Sequence, residues 1–451
     1  MRHLIFGLLC TSFLTANIAY AQDLLDTPEP LLHPQQSSPE KSIKEKNVES
    51  AGSAFTLDNA ITKALADSPR LKAFNSNVAA AKGELRQSGA WENPEIGVEA
   101  ENIAGDRNYK GFDSAEVTYG LSQTLQIGGK ISARENIAGK GLEIASLDYQ
   151  SAALDVIRDV TTAYAEAIAA QENVRLAKEQ KELAEDVLKS VSVRVGAAAA
   201  PLIQKSRAEV EAATALIAYE RTLKDRDIIF KNLATLLGQD ELNVELDSAA
   251  FYATSKPDVI TTEEKLNTNP EYQKLNTALE QSRARLDLEQ ANAIPDPRLS
   301  VGMRDFRDSG DKAFILGVSL PIPVFNANRG NIEKARSEIS KTESDNRHAI
   351  LMMSTEMKKA KQQMEAAYFQ AKTLNEKILP SADKAFRLAR EGYGLGRFPY
   401  IEVLDAQRSL FDVKQQRIAA LKEFHSSKAQ VERLTAMHLP KIQDKGAINA
   451  E

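Results

Sequence analysis

The chain has 451 residues, with 57 basic and 63 acidic side chains, and its formal charge of −6 argues against a nucleic-acid partner. Apolar residues make up 43% of the chain and charged residues 27%, as in a globular protein, but only 6% of the residues are aromatic. Few aromatic residues together with abundant Ala, Leu, Glu, Lys, Arg and Gln favour long helices over a thick globular core.

The N-terminus has the pattern of a secretory signal: a basic start, an apolar run from Leu4 to about Leu14, and the small-residue sequence Ala19-Tyr20-Ala21. We expect residues 1–21 to be removed and residues 22–54 to be a flexible leader. The only cysteine, Cys10, lies in the signal, so the mature chain would have no disulfide, thiolate metal site or cysteine nucleophile. No later apolar run reaches about 18 residues, which predicts a periplasmic, outer-membrane or extracellular destination.

Residues 55–240 are interpreted as a first repeat. Two segments, about 94–101 and 115–127, alternate apolar and polar residues with a period of two and are predicted to be strands. A helical hairpin is then predicted over 129–237, because no proline interrupts the chain between Gly129 and Val195. A helix of that length would run about 100 Å.

Residues 241–265 are interpreted as a linker, and residues 266–440 as a second repeat with the same order of elements. Its strands are predicted at about 298–303 and 313–320, and its helical hairpin at 330–437. Pro380 interrupts the first helix of this hairpin, where we expect a kink or a helix junction. Residues 441–451 resemble the leader in composition and are predicted to be a flexible tail.

The two repeats match residue by residue at a separation of 198 positions over their best stretch. The identities include Gly196 with Gly394, Pro201 with Pro399, Ile203 with Ile401, Ala208 with Ala406, Leu223 with Leu421, Lys224 with Lys422 and Leu236 with Leu434. Upstream the separation drifts, since Gly120 matches Gly317 and Pro94 matches Pro297. A unit of this size indicates a duplicated domain and not a solenoid.

Two readings of the four predicted strands remain open at this point. They could form a small soluble sheet, or they could contribute to an outer-membrane barrel, for which strands of about 9–11 residues suffice. Four strands cannot close a barrel, and an open edge within lipid leaves backbone groups unpaired. Three chains would supply twelve strands.

Four segments carry a resemblance to a known family. Tyr393–Gln407, which reads YGLGRFPYIEVLDAQ, resembles the second periplasmic hairpin of the TolC-like outer-membrane factors, the exit ducts of tripartite efflux and type I secretion systems. Gln123–Lys130, Arg194–Leu202 and Leu320–Gly330 are similar to segments of the CzcC-like heavy-metal branch of that family.

The resemblance implies a mainly α fold with β: internally duplicated, with long α-helical coiled-coil hairpins forming a periplasmic tunnel. It also implies that the four strands contribute to a trimeric, 12-stranded outer-membrane β-barrel. The implied partners are two further copies of the chain, outer-membrane lipid, a periplasmic adaptor (membrane fusion protein) and an inner-membrane RND pump. The implied function is passive exit of heavy-metal cations, with drug efflux or type I protein secretion as an alternative, and a soluble periplasmic coiled-coil scaffold as an alternative of another class.

The resemblance also assigns the candidate site residues. Glu402 and Asp405, three apart on one helix face, and Tyr393 would form a periplasmic gate, where three chains would assemble a cation-attracting acidic ring. A solvated acidic turn near a helix N-terminus is the plainer interpretation. The adaptor-docking tips would comprise Gly196, Ala198, Pro201, Gly394, Gly396 and Pro399, which equally suit a tight turn followed by a helix.

No arrangement of nucleophile, base and oxyanion donors is visible, so we expect no enzyme activity, no cofactor and no metal site. The histidines outside the signal are not at ligand spacing; they are His33, His348, His425 and His438. The methionines of the second long helix are expected to pack in the core; they are Met352, Met353, Met357 and Met364. Trp91 is expected either at a membrane interface or in the core.

Overall fold

The computed structural model describes residues 55–256 and 266–442. The predicted signal and leader lie outside these ranges, as do residues 257–265 of the predicted linker and residues 443–451 of the predicted tail. Within the described residues, no helix is long and apolar enough to cross a membrane.

The first copy begins with two helices, α1 (Leu57–Asp67) and α2 (Pro69–Ser88). Two strands follow, β1 (Glu95–Glu101) and β2 (Glu116–Thr124). The helical hairpin consists of α3 (Lys130–Gly196), with 67 residues, and α4 (Leu202–Leu236). A short helix, α5 (Ala249–Tyr252), lies in the segment that leads out of this copy.

The second copy has helix α6 (Pro270–Asn292) and strands β3 (Arg298–Phe306) and β4 (Lys312–Ser319). Its hairpin consists of α7 (Arg329–Thr373), α8 (Leu379–Gly394) and α9 (Tyr400–Leu434). A π-helical turn, Leu374–Ile378, separates α7 from α8 just before Pro380. The expected junction is therefore present, and a widened turn accommodates a residue that has no amide hydrogen to donate.

Two predicted strand ends differ from the structure. β2 stops at Thr124 and not at residue 127, because Gly128 and Gly129 adopt positive φ angles of 76° and 80° and turn the chain into α3. β3 continues past residue 303, because β2 offers it partners as far as Glu116, which faces Phe306. The extension begins with Arg304 and Asp305, which interrupt the alternation of apolar and polar residues.

The four strands form one antiparallel sheet in the order β1-β2-β3-β4. Its first face is apolar and exposed; the large side chains there include Ile96, Val98, Tyr119, Leu121, Val301, Phe314, Leu316 and Val318. The opposite face carries ion pairs across strands, with Arg304 3.0 Å from Glu101 and 2.9 Å from Glu116. The sheet is thus polar on one side and greasy on the other.

The core lies between the helices and not on the sheet. Its largest cluster joins α1, α3, α4, α5 and α9, and includes Val160, Leu233 and Leu246. Met353, Met357 and Met364 are buried in a second cluster with Phe424 and Leu434, as expected. The expectation for Met352 was wrong: it is 57% exposed, on a different face of the same helix.

The duplication is preserved in the hydrogen bonds that end the helices at the two tips. In the first copy, the amide of Ala199 donates to the carbonyl of Arg194 at 2.8 Å. In the second copy, Arg397 donates to Gly392, also at 2.8 Å. Both are the closing bonds of a Schellman turn, and the donors and acceptors are separated by the same 198 positions as the sequence identities.

Each of these turns requires one left-handed residue, and the copies use different side chains there. Gly396 has a φ of 71°, while its counterpart Ala198 has a φ of 55°. The assignment reverses where the returning helices end, since Gly238 has a φ of 70° and Ala436 a φ of 49°. Alanine in this conformation costs about 1–2 kcal/mol, so each copy retains one strained turn.

We predict that Ala198→Gly stabilises the protein by about 1 kcal/mol, because glycine adopts the left-handed conformation without a steric penalty. Thermal unfolding in detergent should show the higher Tm. Ala197→Gly is the matched control: Ala197 has a φ of −82° and gains nothing from the change. An equal or larger rise in Tm for the control would show that backbone strain at Ala198 is not the cause.

Candidate functional site at the hairpin tips

The candidate site is built from the two turns that connect the long helices. α3 and α8 end in the Schellman turns, and Pro201 and Pro399 then precede α4 and α9 with φ angles of −66° and −70°. Proline restricts φ to values compatible with a helix start and needs no hydrogen-bond acceptor there. The six residues predicted as docking tips are all exposed: Gly196, Ala198, Pro201, Gly394, Gly396 and Pro399.

The tip glycines divide into two kinds. Only Gly396 needs its conformational freedom, because Gly196 and Gly394 are the last residues of their helices. Gly394 is helical and does not use the positive φ that glycine permits. Gly392, one turn earlier, is a further constrained position, since a Cβ there would overlap the ring of Phe398.

Tyr393 connects the second tip to the first hairpin. Its hydroxyl donates to Oε1 of Gln204 at 3.2 Å, and the Arg194 guanidinium lies 4.5 Å from its ring centroid. Arg194 also donates from Nη1 to the carbonyl oxygen of Tyr393 at 3.2 Å. These three residues, which we call the tip clasp, combine two hydrogen bonds with a cation–π contact.

The sequence interpretation identified Tyr393 but missed its partners. Gln204 lies 198 positions before Glu402, and Arg194 begins a segment that resembles the CzcC-like branch, but neither observation points to Tyr393. Neither role could be read from one sequence, because the partners are about 190 to 200 residues away from Tyr393 along the chain. The clasp is a product of how the hairpins pack.

Glu402 and Asp405 both lie on the exposed face at the start of α9, as their spacing predicted. Among the described residues, neither carboxylate forms an ion pair or accepts a side-chain hydrogen bond. Arg408, one turn after Asp405, instead forms an ion pair with Glu211 of α4 at 2.9 Å. Tyr393 faces the first hairpin, so a single chain does not join it to the two acids.

Beneath the acids, α9 presents an apolar seam that contains two buried polar side chains. Tyr400 and Gln407 are each 2% exposed, and neither the Tyr400 hydroxyl nor Nε2 of Gln407 has a hydrogen-bond partner among the described residues. Burial, together with the nearby Glu211 carboxylate, raises the pKa of Tyr400 to about 12. Each unpaired buried group costs about 1–3 kcal/mol, so this seam is less stable than an apolar one.

Titratable residues elsewhere do not assemble a metal centre in the part of the chain that the structure describes. His425 is representative: its ring stacks on Phe251 with centroids 5.3 Å apart, and Nε2 lies 3.0 Å from the Phe251 carbonyl oxygen. Burial lowers the pKa of His425, which favours the neutral imidazole. Its contacts are those of a packed core residue.

Comparisons with known proteins give the same architecture. The family model for outer membrane efflux proteins matches residues 60–239 and, separately, 262–436. A solved structure of CusC, reported with the conformational changes that accompany folding and transmembrane channel formation, matches with a TM-score of 0.73 at 17% identity. That match covers 90% of this chain and 99% of the other.

Two curated relatives cover most of the chain. The cobalt-zinc-cadmium resistance protein CzcC of Cupriavidus metallidurans is 24% identical over 436 residues, covering 96% of this chain and 99% of its own length. The pyoverdine export outer membrane protein OpmQ of Pseudomonas aeruginosa is 24% identical over 399 residues, covering 81% of this chain and 82% of its own length.

The two matched segments coincide with the two copies of strand pair and helical hairpin, so the match rests on the whole described fold and not on one motif. The chain belongs to the outer membrane efflux protein family.

Proposed function

We propose that three copies of the chain form the outer-membrane exit duct of a tripartite RND-type efflux system, and that the duct conducts heavy-metal cations passively. The observation that carries the duct is the exposed apolar face of the sheet. Ile96, Phe314 and Leu316 are 84%, 92% and 77% exposed, which is unfavourable in water and favourable in lipid. A soluble scaffold would bury this face.

The proposed assembly places the sheet in the outer membrane and the hairpins in the periplasm. The exposed tips would then meet a periplasmic adaptor, which connects the duct to the inner-membrane pump. Fractionation tests the first step: the protein should pellet with outer membranes and run as a heat-sensitive trimer in mild detergent. A monomer in the soluble periplasmic fraction would rule out the duct.

Metal cations are proposed as the substrate class for two reasons. CzcC, a cobalt-zinc-cadmium resistance protein, is similar over nearly the whole chain. Glu402 and Asp405 of each chain would also give the trimer three pairs of unpartnered carboxylates at the tip opening, where their negative potential attracts cations. Organic export is the second candidate, because OpmQ, a pyoverdine export protein, is similar over 81% of the chain.

Deleting the gene should lower resistance to one or more of zinc, cobalt, cadmium, copper and silver, because the pump would lose its exit through the outer membrane. Two measurements would separate the substrate classes: the minimal inhibitory concentrations of metals, detergents and dyes, and the amount of siderophore exported. Complementation with a plasmid-borne wild-type gene is the control for polar effects of the deletion on neighbouring genes. Sensitivity to organic compounds alone would refute the metal assignment.

Replacing the two acids by Glu402→Gln and Asp405→Asn should lower the permeability ratio of K⁺ to Cl⁻ by roughly two-fold or more, because the ring loses its charge. Bilayer recordings measure the ratio by reversal potential under a salt gradient. Asp412→Asn removes a charge of the same sign from an exposed site about two turns further along α9 and is the matched control. An unchanged ratio in the double variant would remove the acidic ring from the mechanism.

The tip clasp is proposed to hold the entrance in its resting conformation. Tyr393→Phe removes the hydrogen bond to Gln204, which is worth about 1 kcal/mol and shifts an open–closed equilibrium by roughly five-fold. Single-channel recordings should show longer or larger openings. Tyr219→Phe is the control, since the Tyr219 hydroxyl has no hydrogen bond within residues 55–256 and 266–442, although the Lys181 ammonium lies 5.7 Å from its ring centroid as Arg194 lies near that of Tyr393. Identical gating in the two variants would exclude the clasp as a latch.

A further inference from the structure

The sheet has two open edges. β1 pairs only with β2 and β4 only with β3 among the described residues, so one side of each outer strand presents unpaired amide and carbonyl groups. Within lipid each such group costs several kcal/mol, because no water is present to bond with it. The proposed trimer requires each edge to meet another copy, and the structure contains enough information to say in which register.

The two hairpins of the sheet are equivalent residue by residue. β1 begins directly after Pro94 and β3 directly after Pro297. Three residues after Pro94, Gly97 faces Gly120; three residues after Pro297, Ser300 faces Gly317. The prolines and the glycines are independent reference points, and they give the same correspondence. Val301 is therefore the counterpart of Val98, and Val318 the counterpart of Leu121.

Within one chain, the pairing of β2 with β3 already joins the last strand of the first repeat to the first strand of the second repeat. In it, Leu121 faces Val301. The geometry points to the same junction between chains. We infer that β4 of one chain pairs antiparallel with β1 of a neighbouring chain, with Val318 opposite Val98 of the neighbouring chain. The flanking pairs follow: Leu316 lies opposite Ala100, and Ser319 opposite Gly97, of the neighbouring chain. This register rests on the proposed trimer.

Side-chain chemistry agrees with the register. Val318 is 69% exposed and Val98 is 65% exposed, and both lie on the apolar face of the sheet. A slip of one residue would turn every apolar side chain of one strand to the polar face of the other. Gly97 has no side chain that could crowd Ser319 of the neighbouring chain.

The register also extends one hydrogen bond beyond the ends of the strands. The amide of Leu125 donates to the carbonyl of Pro297 at 2.9 Å, which continues the β2–β3 ladder past its end. In the equivalent bond between chains, the Ile322 amide donates to the Pro94 carbonyl of the neighbouring chain.

Disulfide cross-linking tests the register in the full-length protein, in a Cys10→Ala background that has no other cysteine. The matching pairs are Val98→Cys with Val318→Cys, and Gly97→Cys with Ser319→Cys. Adjacent antiparallel pairs alternate between closer and wider spacing, so one of these two double variants should suit a disulfide. Shifted pairs on the same faces are the controls: Val98→Cys with Phe314→Cys, and Gly97→Cys with Ile315→Cys.

After mild oxidation of outer membranes, at least one matching variant should give roughly ten-fold more covalently closed trimer than either shifted control on non-reducing gels, and reductant should return it to monomer. Cross-linking of a shifted pair alone would overturn the register. A heat-sensitive trimer of the cysteine-free protein, examined in parallel, keeps the two proposals distinct: a trimer without matching disulfides refutes only the register, whereas a monomer refutes the duct as well.

Discussion

The whole described fold depends on the packing of one helix, α3. It contacts α1, α2, α4, α6 and α9, and so joins both copies. A long series of small side chains makes this possible, because neighbouring helix axes approach more closely over alanine than over larger residues. The buried alanines of α3 are Ala138, Ala152, Ala153, Ala165, Ala167, Ala169, Ala170, Ala177 and Ala184.

The first residue of α3 also holds the sheet to the helices. The Lys130 ammonium group donates to Oδ2 of Asp296 at 2.6 Å and to the carbonyl of Ile294 at 2.7 Å, and its side chain is 9% exposed. Oδ1 of Asp296 accepts from the amide of Ile127 at 2.9 Å. One largely buried ion pair thereby connects the end of the first strand pair to the beginning of the second, and removal of either partner would leave an uncompensated charge.

Local patterns predicted the elements well and their partners poorly. Periodicity located four strands and the helical hairpins, and Pro380 marked the junction in the second one, because these features depend on neighbouring residues. The clasp around Tyr393 and the unpaired hydroxyl of Tyr400 depend on contacts between distant segments. The left-handed Ala198 is intermediate: its own propensity argues against that conformation, but its alignment with Gly396 reveals it.

The copies share their scaffold and differ at the tips. Arg194 aligns with Gly392 and Gln204 with Glu402, so neither clasp partner has an equivalent in the other copy. Duplication supplied two similar hairpins, and the contacts that distinguish the first tip from the second arose where the copies diverged. In an assembly of three chains, six similar hairpins would therefore have only threefold symmetry at the entrance.

The strand registers have a geometric consequence for a closed ring. A row of facing residues runs from Ile96 through Leu121, Val301 and Leu316. With the register inferred between chains, the row arrives at Ala100 of the neighbouring chain, four residues further along β1 than Ile96, where it began. Three chains would accumulate a stagger of twelve residues over twelve strands. With a rise of about 3.3 Å per residue and about 4.8 Å between strands, that stagger tilts the strands by roughly 35° from the axis, at the lower end of the range for transmembrane barrels.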